Sequence, residues 1–146
     1  MKDTDFTGLQ WLGVTYDIIL SKEASGGTMS IVDSNSPAGS GPPMHIHHDA
    51  DETFVMLTGS CDFVRGGERL RAGPGETVFI PRGTEHTFRV TDDGPSRHLV
   101  ILTPGGFEGF FKAMSDGQYA IPDDMEDIGR IAGEHHLEFT GPPLEG

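Results

Sequence analysis

Gly39-Ser-Gly-Pro-Pro-Met-His45-Ile-His47-His48-Asp-Ala-Asp-Glu52, followed seven positions later by Gly59, is the stretch that decides how this chain is read. His45 and His47 are two apart, so on an extended strand both imidazoles point to one face. Glu52 opens the next apolar run, and a short turn through His48 to Asp51 brings its carboxylate beside them. A third imidazole is expected from His86, at the end of Gly75-Glu-Thr-Val-Phe-Ile-Pro81-Arg-Gly83-Thr-Glu-His86. Three neutral imidazoles and one carboxylate leave open positions on an octahedral divalent ion, and they suit Fe, Mn, Ni, Cu or Zn better than Mg or Ca. The expected cofactor is therefore one divalent transition metal, held by His45, His47, Glu52 and His86 in a catalytic rather than a closed structural set.

Around this stretch the chain has the punctuation of an all-β domain. The chain has 21 Gly and 10 Pro, and Gly and Pro recur every eight to fifteen residues from Gly26 to Gly106. Between them lie strand-like runs at Leu12–Leu20, Thr28–Asp33, Glu52–Leu57, Cys61–Arg65, Arg69–Arg71, Thr77–Ile80, Thr87–Val90 and His98–Thr103. These are rich in β-branched and aromatic residues. Arg65-Gly66-Gly67-Glu68-Arg69 reads as a hairpin turn, because glycine accepts the positive φ of the primed turns. A length of 146 residues suits one domain, and the nine Phe supply its core.

Charge and segment composition exclude several function classes. A net charge of −13 makes nucleic acid and anionic membranes poor partners. The opening MKDTDFTGLQ carries acids where a signal peptide needs a basic and then an apolar stretch, and no apolar run reaches a membrane span. A cytoplasmic protein is expected, and the single Cys61 is expected to be a small buried side chain.

After Pro104 the period changes. Phe107, Phe110, Phe111 and Met114 recur at helical spacing. Asp123 with Glu126 resembles a capping box ahead of Met125, Ile128, Ile131 and Ala132. The expected organisation is a single domain over residues 1–146, with a barrel core at about 12–103 and a helical extension at about 105–146. The stripe of three Phe must be covered by the outside of the barrel, by its mouth or by a second subunit. Flanking turns at Gly105-Gly106 and at Gly117 to Pro122 would let the helices fold back over an opening. The nine acids after Gly105, against only Lys112 and Arg130, read as a solvated face.

Two spaced motifs are similar to those of the cupin superfamily. The first is Gly, five residues, His-x-His, three or four residues, Glu, six residues and Gly, and Gly39, His45, His47, Glu52 and Gly59 satisfy every interval. The second is Gly, five residues, Pro-x-Gly, two residues, His, three residues and Asn. Gly75, Pro81, Gly83 and His86 fit it, while Val90 stands where the Asn belongs. Gly105-Gly-Phe-Glu-Gly-Phe-Phe and Glu138-Phe-Thr-Gly-Pro-Pro-Leu144 look like the single-domain bacterial cupins named quercetin-dioxygenase-like. The resemblance implies an all-β double-stranded β-helix, a small jelly-roll barrel with the metal inside. It also implies that Glu52 can double as a catalytic base.

Period two puts Phe54 and Met56 on the face of Glu52, and Phe88 and Val90 on that of His86, so these four are expected beside the metal. An interior lined this way selects an apolar or aromatic small-molecule substrate. His98 is expected in the core or lumen, whereas His48 and Glu85 should face outward. Of the six Arg from Arg65 to Arg97, Arg82, in the loop before His86, is the candidate to meet a substrate carboxylate. The expected function is metal-dependent dioxygenation of a small, partly aromatic molecule by a homodimer. The alternatives are metal-assisted lyase, decarboxylase or isomerase chemistry, and non-catalytic binding of a small molecule or metal.

Overall fold

The computed structural model describes residues 6–145; residues 1–5 and 146, the ends of the expected domain, lie outside the described residues. Strands β1 (Leu9–Trp11), β2 (Val14–Leu20), β3 (Ser30–Ser36), β4 (Pro43–His47), β5 (Asp51–Thr58), β6 (Cys61–Arg65), β7 (Glu68–Ala72), β8 (Thr77–Ile80), β9 (His86–Val90) and β10 (Ser96–Thr103) come first. Helices α1 (Glu108–Gly117) and α2 (Met125–Glu134) follow, and β11 (Leu137–Pro143) ends the fold. The strands form two antiparallel sheets, ordered β1-β2-β3-β10-β5-β8 and β11-β4-β9-β6-β7. Alternation along β5 turns Glu52, Phe54 and Met56 inward, and Ile18, Val32, Phe63, Ile80 and Leu102 meet them in a fully buried core.

Turn chemistry sets the corners of the barrel. Gly66 and Gly67 join β6 to β7 with φ of 55° and 85°, the expected two-residue hairpin. Gly59 is required twice over: its φ is +73°, and a Cβ there would lie 2.4 Å from the Pro95 carbonyl oxygen.

Four boundaries differ from the sequence reading. The run Leu12–Leu20 is broken by a turn at Leu12-Gly13, so Trp11 pairs with Val14 in a β1–β2 hairpin. Strand β3 begins at Ser30 and extends through polar Ser34-Asn-Ser36, because pairing with β10 takes up its backbone groups. Asp124 rather than Asp123 occupies the α2 N-cap position and makes no side-chain cap bond; its carboxylate accepts from Ala120 N instead. The extension is not helical throughout. Leu137–Pro143 pairs with β4 and completes the barrel, which therefore uses residues beyond 103.

Helix α1 packs against β1. Its buried Glu108 carboxylate accepts from Lys22 N (2.7 Å), Gly106 N (3.0 Å) and the Ser30 hydroxyl. Trp11 meets Phe110 edge to face at 5.9 Å, so the N-terminal hairpin and the C-terminal extension share one apolar cluster. Among the described residues, no helix is long and apolar enough to cross a membrane.

Candidate metal centre

Three strands deliver the four expected ligands. Strand β4 places His45 and His47 inward, Glu52 enters at the second residue of β5, and His86 starts β9 directly opposite His45. The loop before His86 is tied to β4 by Gly83 N donating to His47 O (2.8 Å). It is tied to β5 by Arg82, whose backbone N–H (2.9 Å) and guanidinium both donate to Asp51. Arg82 is thus occupied outside the barrel and holds the ligand-bearing loop in place; it does not reach the cavity.

The donor set fits a metal. One donor atom from each of His45, His47, Glu52 and His86 lies within 4.8 Å of all the others, and every ligand is at most 6% exposed. Nδ1 of His45 donates to Pro43 O and Nδ1 of His86 to Thr84 O, both at 2.8 Å. A carbonyl only accepts, so these bonds fix the tautomer and leave each Nε2 as the inward-facing donor to a metal. His86 Nε2 then meets Glu52 Oε1 at 2.8 Å, a contact between two lone-pair atoms that needs a cation between them. Burial alone would lower the His86 pKa, but the hydrogen bond and charge of Glu52 outweigh it and raise it. His47 lies 3.4 Å from Glu52 Oε2, and its Nδ1 has no hydrogen-bond partner.

Electrostatics keep the set ready for a divalent ion. Burial, reinforced by the neighbouring imidazoles of His86 and His47, pushes His45 down to about 3, so it is neutral. Burial works against ionisation of Glu52. The charges and hydrogen bonds of His47 and His86 overcome that and hold its carboxyl well below the usual range. Neutral imidazole and ionised carboxylate are the forms a metal requires.

A cavity of about 100 Å³ opens from this cluster. Phe54, Phe88 and His98 line it as expected. Met56 and Val90 do not; both are fully buried in the core. Alternation gives each the face of its ligand but not a place on the cavity wall. His48 points outward to Glu138 on β11 (2.8 Å), and Glu85 is exposed. Cys61 is buried, and burial raises its thiol to about 11.

Phe107, Phe110 and Phe111 line the cavity. Phe107 stands edge-on to His47 at 4.5 Å and stacks on Phe110 at 5.2 Å, while Phe111 stacks on Tyr16 at 4.4 Å. Sequence reasoning missed Tyr16, Ser34, Ser36 and Phe139 as lining residues. It also missed Glu108 as the anchor of α1, because an acid between Phe107 and Gly109 carries no signal of burial.

The family described as "Cupin domain" matches residues 34–102. Over 99 residues the chain is 29% identical to quercetin 2,3-dioxygenase of Bacillus subtilis (strain 168), a stretch that is 68% of this chain and 29% of that enzyme. Over 66 residues it is 41% identical to dimethylsulfoniopropionate lyase DddQ of Ruegeria pomeroyi, covering 44% of this chain and 32% of the lyase. The chain thus spans less than a third of the length of either relative. KdgF from Halomonas sp. shares the fold, with a TM-score of 0.58 at 19% identity over 64% of this chain and 81% of that one.

Proposed function

With residues 34–102 a cupin domain inside a double-stranded β-helix barrel, we propose that this chain is a metal-dependent enzyme that dioxygenates a small, partly aromatic molecule. One observation carries the reading: the buried cluster of His45, His47, Glu52 and His86 opens on a cavity walled by Phe side chains. A bound divalent transition metal would polarise and orient the reactants. The protein supplies the rest. His45 and His86 are held in one tautomer by backbone carbonyls, and Phe107 shields His47 from water. Glu52 is the carboxylate that lines the cavity, and it is placed to take a proton from the substrate.

The cavity size bounds the substrate. An engineered cavity of ~150 Å³ holds benzene, so about 100 Å³ suits a molecule of one small ring rather than a flavonol. The similarity to quercetin 2,3-dioxygenase supports the reaction class, not that enzyme's substrate. The 41% identity to DddQ favours a second reading, lyase chemistry that consumes no oxygen. We also propose a homodimer joined at β1, the outer strand of the six-stranded sheet, where Leu12 is 51% exposed.

Metal-loaded protein incubated with single-ring phenols and ketones in air and under nitrogen separates the readings. Oxygen uptake matched to substrate loss is expected. Equal turnover under nitrogen would favour the lyase reading, and binding without turnover in either atmosphere would leave a non-catalytic binder.

A further inference from the structure

Along β10, away from the metal cluster, the barrel interior becomes polar. Ser34 and Ser36 on β3 stand in register with His98 and Ser96 on β10, and all four are at most 2% exposed. Ser34, Ser36 and His98 line the cavity. Leu102 on β10 pairs with Glu52, so His98 lies four residues, roughly 13 Å, along the strand from the ligand row. Polar groups so placed are costly to bury unless something bonds to them.

Tracing the protons shows what that something is. The Cys61 thiol donates to Ser96 Oγ (3.8 Å), and Ser96 Oγ lies 3.2 Å from His98 Nδ1. We infer that Ser96, whose oxygen accepts from the thiol, gives its own proton to Nδ1. In that tautomer His98 Nε2 carries the ring hydrogen, and Nε2 has no partner among the described residues. Ser34 and Ser36 share one hydrogen bond of 3.3 Å between two hydroxyls, which leaves one hydroxyl proton unused. Two donors thus border the same end of the cavity.

We propose that His98 Nε2–H and the Ser34–Ser36 hydroxyl pair form a specificity site that binds the neutral carbonyl oxygen of an otherwise apolar substrate. This rests on the cavity being the substrate site proposed above. A ketone, ester or amide oxygen matches two donors. A carboxylate does not, because no Lys or Arg lines the cavity and Glu52 is its one charged side chain among the described residues. Burial lowers His98 to about 4, so the ring offers no charge to an anion near neutral pH.

Acetophenone and ethylbenzene, nearly equal in shape and differing by the carbonyl, test this on the metal-loaded full chain by NMR titration. The parent should bind acetophenone about tenfold more tightly. His98→Leu should reduce that preference below twofold, and His98→Gln, which keeps an N–H donor, should retain part of it. Metal content measured on each protein should stay at the parent level, because His98 is not a ligand. A parent that holds no metal refutes the metal-centre reading, whereas intact metal with equal affinity for both probes, or binding of neither, overturns the carbonyl site. Nitrogen-15 spectra of the histidine-labelled parent give a check independent of any variant: the Nε2–H tautomer of His98 is expected, and an Nδ1–H tautomer overturns the proposal.

Discussion

Replacing His98 with Gln should remove an acid-sensitive element from the barrel. Burial pulls the His98 pKa from its ordinary 6.5 to about 4, outweighing the opposite pull of Glu52 and Asp33. Between those values the unfolded chain binds a proton that the folded chain refuses, so stability is complete above pH 6.5 and drains away as pH falls toward 4. At about 1.4 kcal/mol per pH unit the whole effect is roughly 3 kcal/mol, of which about 2 kcal/mol falls between pH 6.5 and 5. A protein of this size is stable by only about 5–15 kcal/mol, so the loss is measurable. Urea unfolding of metal-free parent and His98→Gln at pH 7.5 and pH 5 isolates it, because the buried His45 contributes equally to both proteins. The parent should lose about 2 kcal/mol more than the variant, close to 1 M in midpoint at a slope of about 2 kcal/mol/M. Parallel losses, within about 0.5 kcal/mol, would refute the picture of a dry, neutral His98.

The other expectations need shorter statements. His47→Ala should lower metal content at least about tenfold, while His48→Ala, whose ring pairs with Glu138 outside the barrel, should leave it unchanged; equal losses would mean that the register is wrong. Phe107→Ala should cost about 3 kcal/mol and lower Tm by roughly 6–12 °C. It should also speed removal of the metal by a chelator, and an unchanged rate would show that α1 does not shield the site. Light scattering should give twice 15.7 kDa at micromolar concentration, and a monomer mass would refute the β1 interface.

What could be read from the sequence was what local spacing determines. His45 and His47 share a face because side chains alternate, and Glu52 and His86 arrive at fixed intervals around glycine turns such as Gly59, where a side chain would strike Pro95. Which inward side chains border the cavity depends on packing across the sheets, so Met56 and Val90 had the right face and the wrong neighbours. Strand β11 was hidden for a related reason. Gly141, Pro142 and Pro143 carry no strand signal, and the segment becomes a strand because β4 offers it an open edge some 90 residues earlier in the chain. The polar end of β3 was lost because Ser34-Asn35-Ser36 looks like a loop until β10 is beside it.

This division between local and non-local also assigns roles. All four ligands fall within residues 34–102, the part that matches the cupin domain, so the capacity to hold a metal belongs to the barrel. Phe107, Phe110, Phe111 and Phe139 fall outside it and line the cavity, so the extension supplies part of the cavity wall. That wall is not a loose flap. Glu108 follows Phe107 and receives three hydrogen bonds, from Lys22, Gly106 and Ser30, and each bond to a carboxylate contributes about 1.5–3 kcal/mol. Lifting α1 would break all three and strand a buried acid, while β11 pins the other end of the extension to the strand that carries His45 and His47. A wall held at both ends keeps its shape, so the dimensions of the cavity are set by packing.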